Sequence, residues 1–458
     1  MRHATSSPEQ FPIQSDRSIA PDSCFDAFSS REPVPTSLEN ALDSAENTAP
    51  ATAAGPSPQR TKRPRDERLD FFRGLTMLII FVAHLPENSW NAFIPARFGF
   101  SSGAELFVFC SGIASALAFG SVFVRRGFWL GTARIAYRIW QVYWAQLGLV
   151  LALIALAGLL DRVFGLAELA RQFPPLLSDA ETALVGLATL TWQPDYLDIL
   201  PMYLVILALV PVMMALRRLH AALPFLTVGL LYALVWTEGL NLPGNPWNGA
   251  GWFLNPFAWQ LVFFIGFFIA MKWLPVPRLG DRRLMLAAAG FVLLSVPLSF
   301  WGILEHWPTA QALRDLVIPD AEKSNLHILR VLHFLALAYL VLSLIEPWRP
   351  RLDSGAGHLL ILIGRQSLAT FLTSVVLARL AGTAADWLGR GEASVALLNL
   401  AGFALILTVA VIVGWFKSQP WAGPAPKQEP KPEPKSEPVR RDEPATAAAL
   451  PTRVREAS

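Results

Sequence analysis

Long apolar blocks alternate with short polar segments over most of the chain. The blocks are near or above twenty residues, about the length of a helix that crosses the hydrocarbon core of a bilayer. Window hydropathy and this length together predict about ten membrane helices. Their predicted spans are 69–85, 105–124, 132–160, 197–216, 222–236, 256–273, 284–304, 325–345, 359–380 and 395–416. A further apolar stretch, 180–190, is too short to span and is predicted to be re-entrant or interfacial.

Polar, low-complexity sequence flanks this apolar region at both ends. Residues 1–64 are rich in Ser, Pro and Ala and show no periodicity, and residues 417–458 are dominated by Pro, Lys and Glu. Such segments bury too little apolar surface to fold, so both are predicted to be disordered tails. The predicted fold is therefore all-α, with a polytopic membrane domain at 65–416.

Composition supports a membrane protein and excludes several other classes. The chain is 53% hydrophobic and only 16% charged, too few charges to cover the surface of a soluble protein of this length. The net charge of +3 gives no reason to expect a nucleic-acid partner, and two cysteines provide neither a disulfide framework nor a metal-ligand cluster.

Lys and Arg gather near alternate helix ends, a pattern that predicts membrane orientation. The loop at 238–255 has no Lys or Arg, whereas the segment before the first helix is strongly basic. Both termini are therefore predicted to be cytoplasmic. Arg314, Lys323 and Arg330 are exceptions, because they fall on the predicted outer side.

The first predicted helix carries three ionisable candidates for chemistry, which are costly in a membrane and so point to function. Arg73 and His84 are eleven residues apart. That spacing returns to nearly the same helix face about 16 Å further along. Asp70 lies near the same stripe. A helix-end ion pair and an interfacial histidine are the alternative interpretations, and the residues alone leave both open.

The chain resembles a known family through a spaced Arg–His pair and four short sequence motifs. An Arg, ten intervening residues and a His (Arg73 and His84) resemble the first helix of the acyltransferase-3 superfamily. The sequences Arg-Leu-Asp-Phe-Phe-Arg-Gly-Leu at 68–75, Ala-Arg-Phe-Gly-Phe-Ser at 96–101, Ala-Glu-Leu-Phe-Val-Phe-Cys-Ser-Gly at 104–112 and Asp-Tyr-Leu-Asp-Ile-Leu-Pro at 195–201 resemble its OpgC branch. This resemblance covers about 65–416.

The resemblance implies a bacterial inner-membrane succinyltransferase that acts on a periplasmic glucan. An acyl-CoA would arrive from the cytoplasm as co-substrate, with no bound cofactor. His84 would be the general base, with Asp70 and Arg73 also in the catalytic set. Glu105, expected at a depth similar to that of His84, is a candidate to orient it. Ser102 and Glu105 also fit a capping box for the second helix, and the two interpretations are compatible.

Two further groups are candidates for substrate binding. Arg134, Arg138 and Arg365 are predicted to bind the phosphates of CoA, because guanidinium groups match phosphate oxygens. Positive-inside charge or binding to lipid headgroups is the alternative. On the outer side the predicted acceptor residues are Asp195, Tyr196, Asp198, Trp252 and Asn255. The alternative for the aromatic residues is an interfacial belt that anchors helices.

Other functions remain open at this point. No metal-ligand cluster, Walker loop or dinucleotide fingerprint occurs in the sequence. The alternatives are a transporter or flippase for a sugar or an acyl-linked substrate, an acetyltransferase for another surface polysaccharide, and a membrane scaffold.

Overall fold

A computed structural model describes residues 67–318, 323–352 and 354–422. Thirteen longer helices make up most of this part of the chain. They are α1 Glu67–His84, α2 Gly103–Arg125, α3 Phe128–Phe164, α4 Ala180–Thr189, α5 Ile199–Leu219, α6 Leu223–Glu238, α7 Pro256–Ala270, α8 Arg282–Ser295, α9 Pro308–Val317, α10 Ile328–Ile345, α11 Ala356–Arg365, α12 Ser367–Leu388 and α13 Glu392–Ser418. The short helices are Ser89–Phe93, Pro95–Arg97, Glu168–Gln172, Pro174–Ser178, Val296–Leu298, Trp301–Leu304, Glu346–Arg351 and Pro420–Ala422.

The predicted helical class is confirmed, since the described residues form no strand and only one isolated bridge, Pro243 to Gly251. Described residues up to Ser418 form one unit, and 419–422 belong to a second. The predicted tails, 1–64 and 417–458, lie outside the described residues, apart from 417–422. There α13 continues through Ser418, two residues beyond the predicted boundary.

Six helices are long and apolar enough to cross a membrane: α2, α3, α5, α12, α13 and the span Ile328–Trp348 that begins with α10. The chain is thus a multi-pass membrane protein. The other predicted spans correspond to shorter helices or, in α1, to an 18-residue helix that carries four ionisable residues in its first two turns. The prediction of ten full spans is therefore not matched one for one.

Two predicted spans are interrupted. The span at 359–380 is two helices, α11 and α12, with Gln366 in a non-helical conformation between them. Thr370 Oγ1 lies 3.2–3.3 Å from the carbonyl oxygens of Ile363, Gln366 and Ser367, and its one hydrogen can be donated to any of these acceptors near the break. The span at 284–304 ends as α8 at Ser295, just before Pro297, because proline cannot continue the hydrogen-bond ladder.

Helix α1 lies in the bundle against α2, α11, α12 and α13. Glycines bring its backbone close to that of α11. A Cβ atom on Gly74 would lie 1.9 Å from the carbonyl oxygen of Leu360, and one on Gly364 would lie 1.8 Å from that of Asp70. Small residues allow this approach, which is typical of membrane helix pairs. The contact fixes the position of α1, which carries candidate residues at both of its ends.

Glycines also bring the backbones of α2 and α7 close together. A Cβ atom on Gly112 would lie 2.0 Å from the carbonyl oxygen of Phe263, and one on Gly266 would lie 2.5 Å from that of Phe109. Fully buried aromatic side chains of α7, which include Trp259, Phe263 and Phe267, fill the space around this contact. The core of the bundle is therefore held partly by backbone proximity and partly by aromatic packing.

Candidate functional site

The candidate residues of α1 lie at its two opposite ends, as the sequence predicts. Asp70 and Arg73 lie in the first two turns, and His84 is the last residue of the helix before Pro86. Pro86 disfavours helical geometry at the residue before it, and α1 stops where the sequence predicts. The helix is unbroken between Arg73 and His84, so its geometry separates these residues by about 16 Å.

At the first end, α1 meets the loop that joins α11 to α12. Arg73 donates to the hydroxyl of Ser367. The guanidinium of Arg365 lies 3.9 Å from Asp70 Oδ2 and 3.7 Å from Glu67 Oε1. The structure thus brings Arg365 to the same end of α1 as Asp70 and Arg73. We call these residues, Glu67, Asp70, Arg73, Arg365 and Ser367, the arginine end.

Arg134 and Arg138 lie near the start of α3. Their helix, α3, packs along α5 and contacts α12. Arg138 donates to Gln141 on the same helix at 3.3 Å, and both arginines are partly buried. Their membership of one donor site with Arg365 stays a prediction.

At the other end of α1, His84 meets the loop that precedes α5. The imidazole ring packs against the Tyr196 ring, with 5.1 Å between centroids and planes inclined by 57°. The Arg379 guanidinium lies over the same Tyr196 ring at 5.2 Å and donates to the backbone carbonyl of Asp195 at 2.9 Å. Tyr196 has a positive φ of 67°, an uncommon conformation for a residue other than glycine. His84, Asp195, Tyr196 and Asp198, with Lys323 and Arg379, form what we call the histidine end.

Lys323 lies in the segment before α10, where it is exposed and its ammonium is 5.5 Å from the centre of the Phe253 ring. The charges of Lys323 and Arg379 both act on the His84 ring. The segment is held by its backbone carbonyls. Lys323 O accepts from Trp259 Nε1 at 3.1 Å, and Leu326 O accepts from the Tyr232 hydroxyl at 2.9 Å. These bonds hold the backbone of Lys323 in place and so limit the positions that its ammonium group can occupy.

Asp198 supplies a carboxyl group immediately before α5. Burial raises the pKa of the Asp198 carboxyl to about 6, opposed by the nearby charge of Lys323 and reinforced by that of Asp195. Asp195 and Tyr196 are exposed and Asp198 is partly buried. Polar groups of several kinds are therefore available next to the imidazole.

Glu105 does not orient His84. Its carboxylate accepts from the Ser102 backbone and hydroxyl, both at 2.8 Å, which completes the predicted capping box of α2. Its other oxygen accepts from Arg330. His84 Nδ1 is buried without a hydrogen-bond partner among the described residues. Contact with the Tyr196 ring, rather than a carboxylate, positions the imidazole.

Trp252 and Asn255 have structural roles in place of the predicted acceptor contacts. Trp252 is only 5% exposed and donates through Nε1 to the carbonyl of Pro243 at 2.8 Å. Asn255 caps α7 through Oδ1 and donates to Leu240 O at 2.7 Å. Since both side chains are buried and hydrogen-bonded within the protein, neither presents a surface to a sugar.

The two cations at the histidine end were missed as site residues. Arg379 lies inside the mostly apolar α12, and an intramembrane arginine is itself a signal of function. The only sequence signal at Lys323 is that it departs from the charge bias of the loops. Among the described residues, no cluster of three or more His, Cys, Asp or Glu side chains is arranged to hold a metal ion.

Comparison with known proteins identifies the family. No curated protein and no solved structure matches the chain. Residues 65–418 match the sequence model of a family described as OpgC protein. This match covers most of the chain, includes every helix of the bundle and spans both ends of α1. The chain therefore belongs to the OpgC protein family.

Proposed function

We propose that the protein is a membrane O-acyltransferase. It moves a succinyl or related acyl group from acyl-CoA on the cytoplasmic side to a hydroxyl group of a periplasmic glucan. Membership of the OpgC family supports a glucan-modifying acyltransferase. One observation supports this proposal most directly. The His84 ring packs against Tyr196, beside Asp195 and Asp198, at one end of the unbroken helix α1. At the other end of that helix lie Arg73 and, from α11, Arg365.

The reaction proposed for the histidine end is direct transfer. The imidazole of His84 accepts the proton of a glucan hydroxyl while that oxygen attacks the thioester carbonyl. The carbon–sulfur bond then breaks, the ester forms and the thiolate leaves, to be protonated by the imidazolium. Asp195, Asp198 and the Tyr196 hydroxyl offer hydrogen-bonding groups for a sugar. An aromatic ring also offers an apolar face against which a sugar packs.

The arginine end suits the anionic part of the donor. Arg73 and Arg365 carry guanidinium groups, which bind phosphate oxygens through paired hydrogen bonds. Asp70 and Glu67 lie beside Arg365 and hold it near α1. In the proposed orientation this end is cytoplasmic, where acyl-CoA is made, and the histidine end faces the periplasm.

The test is release of free thiol from succinyl-CoA by the purified full chain in lipid nanodiscs, with and without glucan. We expect glucan-dependent release, reduced at least about 100-fold by His84→Gln, since a general base contributes 10²–10⁴-fold. His306→Gln is the matched control, because His306 is exposed and, among the described residues, its ring bonds only to Gly302, four positions earlier. Full activity in His84→Gln would remove His84 from the mechanism. Well-folded wild-type protein that turns over no acyl-CoA would favour transport.

A further inference from the structure

Arg379 has donors that no described residue accepts from. Its guanidinium has five N–H groups, and the structure assigns one hydrogen bond, to the carbonyl of Asp195. Among the described residues it forms no ion pair with a carboxylate within 4.0 Å. The adjacent acid Glu168 is already occupied, because its oxygens accept from Arg171, Gln172 and Thr383.

Lys323 is similar. Its ammonium lies 5.5 Å from the centre of the Phe253 ring, and in the described part of the chain it too forms no ion pair. Its charge acts on both His84 and Asp198. Of these two cations, which form no ion pair among the described residues, Arg379 lies against Tyr196 next to the proposed base, and Lys323 acts on that base through its charge. Other arginines at this end of the bundle are paired, as Arg390 is with Asp386 and Glu87.

Distances at this end fit a short ligand with a charge at its far end. The Tyr196 ring lies 5.1 Å from the His84 ring and 5.2 Å from Arg379 Cζ, so the imidazole centre and Cζ are at most 10.3 Å apart. A four-carbon chain measures about 4 Å between its end carbons, given bonds of about 1.5 Å. Contacts of about 3 Å at each end extend its reach to about 10 Å, so such a chain is long enough for separations up to nearly this limit.

We propose that Arg379, assisted by Lys323, binds the distal carboxylate of a dicarboxylic acyl group and thereby selects a succinyl-type donor over an uncharged acyl group. This inference rests on the proposed function and names the substrate class of the same site. In this arrangement the guanidinium keeps its place over the Tyr196 ring and binds the carboxylate through its planar fork of N–H groups. The His84 imidazole is left to the acceptor hydroxyl that attacks the thioester carbonyl. Arg379 is a specificity-determining residue in this arrangement. An anionic substituent on the glucan acceptor would bind the same cations, so the experiment distinguishes a donor carboxylate from an acceptor anion.

The experiment measures kcat/KM of the full chain in nanodiscs with succinyl-CoA and with butyryl-CoA, which has the same chain length without the carboxylate. The acceptor in both cases is an unsubstituted neutral glucan. We expect Arg379→Gln to lower the succinyl-to-butyryl ratio by about tenfold or more, the effect of losing a hydrogen bond to a charged group. Arg379→Lys should retain part of the preference, because a point charge without the planar fork remains. Lys323→Gln should lower the ratio less.

Arg390→Gln is the matched control, because it removes a positive charge from the same end of the bundle at a site that is already paired. Its ratio should equal that of the wild type. An unchanged ratio in Arg379→Gln, with both donors still turned over, overturns this inference and leaves the proposed function standing. An equal loss with both donors also overturns it, since Arg379 would then only position Tyr196 and His84.

A second arm uses a glucan that carries anionic substituents. If Arg379→Gln raises KM for that glucan while the succinyl-to-butyryl ratio stays constant, the cations bind the acceptor and the donor assignment is wrong. If wild-type protein turns over neither donor, the proposed function itself fails. The failure of this inference and the failure of the proposed function therefore give different kinetic results.

Discussion

Arg330 of α10 pairs with Glu105 of α2 inside the bundle, with Nη2 2.6 Å and Nε 2.8 Å from the same carboxylate oxygen. Both side chains are nearly inaccessible to solvent. Charges removed from water are stable only when they are paired and hydrogen-bonded, and Glu105 also accepts two bonds from Ser102. The pair therefore links two helices that are distant in sequence, and it excludes Glu105 from the histidine end.

Breaking this pair should destabilise the fold. We expect Glu105→Gln or Arg330→Gln to lower the free energy of unfolding by about 3–5 kcal/mol, because each leaves its partner's charge buried and less well compensated. Denaturant unfolding in a mild detergent measures the change. Glu392→Gln is the control, since the hydrogen bond of Glu392 to Ser89 is exposed. A stable Glu105→Gln protein that has lost all acyl transfer would instead return Glu105 to the chemistry.

Gly364→Ala should be strongly destabilising, because its new Cβ would lie 1.8 Å from the carbonyl oxygen of Asp70 and the two helix backbones would have to separate. Overpacking of this kind costs about 1–3 kcal/mol or more. Gly290→Ala provides the comparison, since a Cβ atom there meets nothing within 4 Å. It should be neutral or stabilising by up to about 1 kcal/mol, the usual helix preference for alanine. Equal melting temperatures for the two variants would contradict the close contact.

Asp198→Asn should stabilise the protein in a pH-dependent way. The pKa of Asp198 rises on folding from its ordinary 3.8 to about 6, so the folded state holds the proton more tightly than the unfolded state does. Stability is then lost as pH rises from about 4 to 6, and the loss is complete above that window. The rise corresponds to ~3 kcal/mol at most, reduced to ~1–2 kcal/mol by solvent screening at this partly exposed group.

The check is the apparent melting temperature of both proteins at pH 4 and pH 7. The advantage of Asp198→Asn should be small at pH 4 and largest at pH 7. Asp281→Asn is a comparison at another helix start, where the carboxylate is exposed and caps α8. That variant should show no gain at pH 7. A constant difference between wild type and Asp198→Asn at both pH values would mean that burial does not perturb the carboxyl.

Trp252 and Tyr196 should respond differently to substitution. Trp252→Phe removes one hydrogen bond to Pro243 and should lower stability by about 1 kcal/mol with KM for glucan unchanged. Tyr196→Ala removes the ring that contacts both His84 and Arg379, and under the proposed function it should reduce kcat/KM at least tenfold. Steady-state kinetics with glucan, alongside melting curves, separate the two roles. A raised KM for glucan in Trp252→Phe would restore the acceptor role predicted from the sequence.

The sequence predicts those features that depend on neighbouring residues. The end of α1 before Pro86 and the capping box of Ser102 and Glu105 are local, and both are confirmed. The end of α8 before Pro297 also had a local signal, which hydropathy averaging concealed. The donor role of Arg365 stays a prediction, and its place beside Asp70 depends on a contact between distant segments.

What the sequence does not predict depends on contacts between distant segments. Glu105 was assigned to His84 from its expected depth in the membrane, but its partner is Arg330, 225 positions away. Trp252 and Asn255 have the residue types of a sugar site, and only the fold reveals that their polar atoms are hydrogen-bonded within the protein. Arg379 reaches Tyr196 from another helix, so no local spacing connects them.

The unbroken course of α1 has a mechanical consequence. A continuous helix cannot shorten or stretch without loss of its hydrogen bonds, so Arg73 and His84 keep a fixed separation of about 16 Å. The length of α1 therefore sets the distance that the donor must span. Under the proposed function, a thioester anchored by its phosphates at Arg73 needs an arm of about that length to bring its carbonyl to His84. A short thioester without a nucleotide lacks both the anchor and the reach.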